Sequence, residues 1–235
     1  MKLAKVLIPA MCLALAACSD DDDDNMEVVA PVTPPAAVEY EFTVTTTNLT
    51  HAQPMSPIGA ALHTSGQFFM VGETASAELE NLAESGDNSG LLGLGVVNAS
   101  ASGEGILAPG ASVDLTLTTD SLDSQKLSII SMMVNTNDGF TGLNSLDVSS
   151  MAVGDTMSFR TVAYDAGTEA NSEAEGTIPG PADDGEGLNA ARDDVDMVAM
   201  HPGVVGNDDG LSTSVLTSAH KFDNPLLALT ITRTK

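Results

Sequence analysis

An acidic loop, YDAGTEANSEAEG at residues 164–176, holds four carboxylates: Asp165, Glu169, Glu173 and Glu175. The chain already carries a formal net charge of −25, so this further concentration of negative charge needs a physical reason. Like charges at short range repel each other, unless water solvates them fully or a cation offsets the repulsion. A hard cation such as Ca²⁺ takes about six to eight oxygen ligands from carboxylates, carbonyls and water. The loop is therefore either a solvated turn or part of a cation site.

Asp165 and Glu169 are four residues apart, with Gly167 between them. If the loop curls through one turn, both side chains point the same way, and Gly167 permits the backbone angles of such a curl. A third ligand is expected from Asp138, which lies in an Asp-Gly turn after the apolar segment 126–134. If the strands that precede these two turns are neighbours, the three carboxylates meet at one edge of the sheet. Two solvated acidic turns are the alternative.

Nucleophilic or zinc-dependent catalysis has little support in the sequence. There are four histidines, and no G-x-S-x-G or H-E-x-x-H motif occurs. His201 precedes a proline, which favours an extended backbone and could direct the ring into a site. An envelope hydrolase with a carboxylate–metal site and His201 as its base is therefore kept as an alternative function.

The amino terminus has the features of a lipoprotein signal peptide. Lys2 and Lys5 precede an apolar run at residues 6–17, which is too short for a membrane span of roughly 20 residues. LAAC at residues 15–18 resembles a bacterial lipobox, so Cys18 is the expected lipidation site. We predict a signal peptide at residues 1–17, and a mature chain without a free thiol. Ser19 after the cysteine favours sorting to the outer membrane.

Residues 18–37 are predicted to be a linker, because residues 20–24 are a run of aspartates and residues 30–37 are rich in proline. Loss of Lys2 and Lys5 with the signal makes the mature chain still more acidic. This charge excludes nucleic acid as a partner, since phosphate contacts require Lys and Arg. It favours solubility and the attraction of cations.

Residues 38–235 are predicted to form one all-β domain. Residues 38–45 alternate between apolar and polar side chains, as in a half-buried strand. Glycine-rich turns and the absence of β-α-β alternation predict an antiparallel sandwich or barrel. Further strands are predicted at residues 112–119, 126–134, 156–164 and 226–234, with shorter candidates at 58–63, 67–72 and 91–97. One helix is predicted at 75–86, and the irregular stretch 177–194 is expected to be a surface loop.

Two segments resemble the paired signature of the spondin amino-terminal domain, a module of extracellular-matrix proteins that also occurs in bacterial secreted proteins. They are SMMVNTNDGFTGLNSL (131–146) and AYDAGTEANSE (163–173). The resemblance extends over nearly all of residues 38–235. Further similar stretches are residues 42–63, 71–86, 178–181 and 224–233.

The resemblance implies an antiparallel β-sandwich similar to calcium-dependent membrane-docking domains, with one short helix near residues 75–85. It implies a calcium ion held at one end by Asp138, Asp165 and Glu169. Glu169 stands where animal members have an aspartate, Gly139 replaces their tryptophan, and their disulfides have no counterpart here. Glu173 and Glu175 lie beyond the motif and are expected to be solvated.

The sequence thus predicts a non-catalytic binding or adhesion module, anchored by lipid on Cys18 in the bacterial envelope and stabilised by calcium. Its location is expected to be the outer membrane, on the periplasmic or the cell-surface side. Its partners are expected to be the membrane, through the lipid, and an extracellular protein or polysaccharide. The alternatives are the hydrolase above and a metal-free structural lipoprotein.

Overall fold

The computed structural model describes residues 38–235. The predicted signal peptide (1–17), the lipidation site Cys18 and the linker (18–37) lie outside the described residues. Within residues 38–235, no helix is long and apolar enough to cross a membrane.

Two antiparallel sheets make up the domain, which confirms the predicted all-β sandwich. The four-stranded sheet has the order β4-β1-β10-β7, and the six-stranded sheet has the order β3-β2-β5-β6-β8-β9. The strands are β1 (Tyr40–Asn48), β2 (Gly59–His63), β3 (Val97–Ser102), β4 (Ser112–Thr119), β5 (Lys126–Met132), β6 (Gly139–Asp147), β7 (Thr156–Arg160), β8 (Ala163–Asp165), β9 (Ala199–Met200) and β10 (Leu227–Arg233).

The alternating pattern of β1 fixes which face is buried. Phe42 and Val44 point into the core, and Val44 lies opposite Leu115 on β4 and Ile231 on β10. Because side chains alternate along a strand, this register places apolar residues of all three strands on the same inner face. The inner faces of both sheets build one apolar cluster, whose largest members are Phe42, Met55, Ile58, Leu62, Leu117, Leu127 and Ile129.

The predicted helix is confirmed as α1 (Ala77–Ser85). The Ser76 hydroxyl accepts a hydrogen bond from the backbone N–H of Leu79, which caps the amino end. Gly86 ends the helix in a left-handed conformation with φ of 78°, and its N–H donates to Leu82 O. A four-residue helix α2 (Ser89–Leu92) follows.

Several predicted strands differ from the structure. Residues 67–72 form no strand, and 91–97 begin in α2 and reach β3 only at Val97. The segment 156–164 is split into β7 and β8, which belong to different sheets. The turn expected after Asp138 continues at once into β6, a strand that the prediction missed. The stretch 177–194 is irregular, as predicted.

Candidate metal centre

Asp138 is held in a tight turn between β5 and β6. The Thr136 hydroxyl donates to Met133 O at 2.6 Å and accepts from Gly139 N at 2.9 Å, and these two hydrogen bonds stabilise the turn. A Cβ on Gly139 would lie 2.5 Å from the Thr136 hydroxyl oxygen, which only glycine avoids. This close approach explains why no large side chain follows Asp138 here. The turn leaves Asp138 fully buried, with 0% exposure.

The second part of the site is the bend after β8. Asp165 lies opposite Gly139 in the β6–β8 pair, so β6 brings the two aspartates together. The expectation that the two preceding strands are direct neighbours is wrong, because β6 lies between β5 and β8. Asp138 and Asp165 nevertheless lie near each other, since β6 begins at the residue after Asp138. The bend turns at Gly167, which has φ of +70° and whose Cβ would lie 2.4 Å from Met197 O.

One carboxylate oxygen of Asp138 organises the bend. Asp138 Oδ2 accepts hydrogen bonds from the backbone N–H groups of Thr168 at 2.7 Å and Glu169 at 3.1 Å, and from the Thr168 hydroxyl at 3.2 Å. The other oxygen, Oδ1, is buried and has no hydrogen-bond partner among the described residues. A fully buried carboxylate oxygen without a hydrogen-bond donor lowers the stability of the fold, unless a proton or a cation binds it.

The other two predicted ligands are also buried, with exposures of 5% for Asp165 and 4% for Glu169. The alternative of two solvated acidic turns is therefore inconsistent with the structure. Asp165 accepts hydrogen bonds from Gly167 N at 2.8 Å and from Asn171 Nδ2 at 2.6 Å. Glu169 Oε1 accepts from Asn137 Nδ2 at 2.8 Å.

Burial and mutual repulsion perturb this acidic cluster. Burial, together with the negative charge of Asp165, raises the pKa of Asp138 to about 7. Burial also raises the pKa of Glu169 to about 7, and the charges of Glu84 and Asp138 act in the same direction. Hydrogen bonds to both groups oppose these shifts without abolishing them. At neutral pH the cluster therefore attracts either protons or a cation.

The donor set suits a hard cation, because every predicted ligand is a carboxylate oxygen and Asp138 Oδ1 has no other partner. Within residues 38–235, however, no group of three or more histidine, cysteine, aspartate or glutamate side chains is already arranged to hold a metal ion. Asp165 and Glu169 instead use their oxygens to accept the hydrogen bonds described above. Because each carboxylate oxygen has two lone pairs, a cation at this position would share these oxygens with the amides of Asn137 and Asn171.

The expectation that Glu173 is solvated is wrong. Its side chain is 2% exposed, whereas Glu175 is exposed as expected. Glu173 has a positive φ of 46°, and its Oε1 accepts from Val205 N at 3.2 Å, while Oε2 has no partner among the described residues. Burial raises the pKa of Glu173. Acidic loop residues resemble one another in sequence, so their pattern contained no signal for this burial.

His201 is buried close to the acidic cluster. Its Nδ1 accepts a hydrogen bond from Gly203 N at 3.0 Å, so in the neutral ring the hydrogen resides on Nε2. Burial lowers the pKa of His201, whereas the charge of Asp165 acts in the opposite direction. With Nδ1 occupied and Nε2 protonated, the ring has no free lone pair for a general base or a metal ligand in this conformation.

Comparison with protein-family models and with curated proteins finds no match to this chain.

Proposed function

We propose that this chain is a lipid-anchored, extracytoplasmic binding or adhesion module of the spondin-domain type, stabilised by a calcium ion at one end of the sandwich. The observation that supports the cation most directly is the orphaned Asp138 Oδ1 in a cluster of buried carboxylates. The similarity of residues 131–146 and 163–173 to the spondin signature supports the family and the adhesive role.

Calcium would act on stability rather than on chemistry. Asp138 is on the β5–β6 turn, and Asp165 and Glu169 are on the bend after β8, so a shared ion would join two separate segments. A cation present at 100 times its dissociation constant stabilises the folded state by about 2.7 kcal/mol. Because small domains have a total stability of about 5–15 kcal/mol, that contribution is substantial in a chain without disulfides.

Anchoring is assigned to Cys18. A lipid on this residue, followed by the acidic linker, would hold the sandwich away from the outer membrane, on its periplasmic or cell-surface side. Replacement of Cys18 by Ser should abolish incorporation of labelled fatty acid and release the protein from the membrane fraction. Retention of the label in Cys18→Ser would show that the anchor is wrongly assigned.

No catalytic activity is proposed, and the arrangement of His201 is consistent with this reading. A neighbouring extracellular protein or polysaccharide is the proposed partner class. The strongly negative charge supports a partner that is not itself polyanionic.

The calcium site is tested by thermal unfolding of the anchor-free chain from Ser19 onwards, with calcium and with EDTA. The wild type should melt higher in calcium. Asp138→Asn and Asp165→Asn should lose that gain, because an amide has no negative charge for the ion. In EDTA, Asp138→Asn should be at least as stable as the wild type, because it removes a buried charge beside Asp165.

The matched control is Asp120→Asn, which makes the same charge change at an exposed position after β4. It should retain the full calcium gain. If the wild type melts at the same temperature in both solutions, the proposed site is wrong, and the metal-free structural lipoprotein becomes the better description.

A further inference from the structure

The outer face of the four-stranded sheet consists mainly of threonine and serine. Because side chains alternate along a strand, the burial of Phe42 and Val44 in β1 directs the residues between and beside them away from the core. The same alternation applies to β4, β7 and β10. We call the outward-facing hydroxyl residues the threonine face; they are Thr43, Thr45, Thr47, Ser112, Thr116, Thr118, Thr156, Ser158, Thr230 and Thr232.

The pairing register aligns these side chains in rows across the sheet. Thr43 lies opposite Thr116 on β4 and Thr232 on β10, and Thr232 lies opposite Thr156 on β7. The next row consists of Asp114, Thr45, Thr230 and Ser158. Neighbouring strands are about 4.7–4.9 Å apart, and residues of one face repeat about every 6.4–6.8 Å along a strand. The face therefore presents a two-dimensional array of hydroxyl and methyl groups.

The threonine face is open to solvent. Its side chains are exposed or half-buried, although they lie on regular strands at the centre of the fold. Helices α1 and α2 contact strands of the six-stranded sheet, on the opposite side of the sandwich. The face is therefore accessible to a partner without any rearrangement of the domain.

This surface has little charge, although the chain is strongly acidic. The protein has 33 aspartate and glutamate residues. Among the paired residues of these four strands, Glu41, Asp114 and Arg160 add charge to the outer side, and each lies at the margin of the array. Threonine is favoured on strands by its β-branched side chain, which accounts for single positions. Strand propensity does not account for the lack of acids across the centre of a whole face.

The chemistry of the face selects a class of partner. Protein interfaces are usually anchored by aromatic residues, methionine and arginine, whereas serine is depleted and threonine is rarely an energetic hot spot. A threonine hydroxyl donates one hydrogen bond and accepts two, and its methyl group offers apolar contact. An uncharged partner with closely repeated hydroxyls matches these groups, and the net charge of −25 repels a polyanion.

We infer that the threonine face binds an uncharged polysaccharide; this inference names the partner of the binding role proposed above and rests on that role. Neighbouring strands twist by about 20–25° relative to each other, so the face suits a flexible polymer chain better than the flat plane of a crystal. Each sugar hydroxyl exchanges hydrogen bonds with water for hydrogen bonds with the face, so a single contact contributes little. Affinity builds up as one chain contacts several rows at once.

Affinity electrophoresis tests this inference, because the acidic chain migrates readily in native gels. The anchor-free chain from Ser19 onwards is run in gels that each contain one soluble polysaccharide: amylose, dextran, a mixed-linkage β-glucan, a galactomannan, or alginate as the polyanion. Thr43→Val/Thr232→Val removes two neighbouring hydroxyls from the centre of the face and keeps the β-branched shape. Thr64→Val/Thr74→Val, at two exposed positions outside the strands, is the matched control.

We expect at least one of the four neutral polysaccharides to retard the wild type, and alginate not to do so. Thr43→Val/Thr232→Val should bind that polysaccharide more weakly by about tenfold or more, since it loses two hydrogen-bonding groups. Thr43→Glu, which places a longer and charged side chain in the array, should not be retarded. The Thr64→Val/Thr74→Val control should match the wild type, and cooperative melting checks that each variant is folded.

Other results would contradict the inference in different ways. If the face variants are retarded as strongly as the wild type, the threonine face is not the binding site, while the binding role stands. Equal retardation by alginate would mean that the partner is not selected by its lack of charge. If no neutral polysaccharide retards the wild type, the inference is wrong, and adhesion of cells that display the chain to a protein-coated surface then decides separately whether the proposed binding role holds.

Discussion

Asn48 and Asp138 are both fully buried polar side chains at the ends of sheet elements, but their polar atoms are satisfied differently. Asn48 Nδ2 donates to Gln53 O at 2.9 Å and to Leu107 O at 3.0 Å. Asn48 Oδ1 accepts from the N–H and the hydroxyl of Thr50. Asp138 accepts three hydrogen bonds with one oxygen, while the other has no partner within residues 38–235.

The difference is one of charge and of the available donors. A neutral amide carries two hydrogens and two lone pairs, so two backbone carbonyls together with the N–H and the hydroxyl of Thr50 satisfy it completely. A carboxylate accepts only, and the nearest side chains to Asp138 include other acids. Adding acids to a buried cluster increases the number of oxygens without adding donors. The polar atoms of the Asn48 side chain are therefore all hydrogen-bonded in the fold, whereas the acidic region needs a proton or a cation to compensate its carboxylates.

The largest loss of stability is expected from a substitution in the Asn48 region. Asn48→Ala removes four hydrogen bonds and leaves buried carbonyls at Gln53 and Leu107 with fewer donors. A buried polar group left unpaired costs about 1–3 kcal/mol, so we expect a loss of about 3 kcal/mol in the free energy of unfolding. Urea unfolding of the wild type and of Asn48→Ala measures this loss.

A comparison of unfolding in calcium and in EDTA distinguishes the Asn48 region from the acidic region. The loss in Asn48→Ala should be the same in calcium and in EDTA, because the side-chain hydrogen bonds of Asn48 go to Gln53, Leu107 and Thr50 and not to a carboxylate of the acidic cluster. Asn98→Ala is the control, since Asn98 is exposed and makes only a 3.5 Å contact with Gln125; it should change stability by less than about 0.5 kcal/mol. A calcium-dependent loss in Asn48→Ala would argue against two independent regions.

The strands were predictable from sequence where the pattern itself decides the structure. The segment 112–119 forms β4 with the predicted bounds, because alternation and flanking turn residues agree there. The segment 156–164 was predicted as one strand, because its uninterrupted strand-like pattern does not show that β7 and β8 join different sheets. At residues 139–147 the Asp-Gly turn signal at Asp138 and Gly139 concealed the strand, which begins at Gly139 itself.

The candidate site has the same limit: local spacing could be interpreted from the sequence, whereas burial by distant segments could not. The four-residue spacing of Asp165 and Glu169 and the Asp-Gly turn at Asp138 led to the prediction that these side chains meet. In the structure all three are buried and β6 brings Asp138 and Asp165 together, but within residues 38–235 no three of them are arranged to hold an ion. The burial of Glu84 and Glu173 depends on what packs over them from distant segments. No local pattern distinguishes them from less buried neighbours such as Glu78 and Glu175.

The smaller expected effect is a dependence of stability on pH that only the acidic region produces. Burial raises the pKa of Asp138 and of Glu169 to about 7, well above their ordinary values near 4 in an unfolded chain. The folded protein then binds more protons than the unfolded chain at neutral pH, so stability increases as pH falls towards 7. Without calcium, the free energy of unfolding should increase by an amount on the order of 1 kcal/mol between about pH 8 and 6.5.

The histidines set the lower limit of the pH range in which this increase in stability is expected. Burial lowers the pKa of His63 and of His201, so below about pH 6.5 their protonation favours the unfolded chain and opposes the trend. The unfolding free energy in EDTA should thus increase on acidification, and Asp138→Asn should show a smaller increase. Bound calcium keeps its ligands deprotonated, so in its presence the increase should disappear or reverse as protons compete with the ion. A flat profile in EDTA would mean that these carboxylates ionise normally in the folded protein, and the contrast with Asn48 would then lose its electrostatic basis.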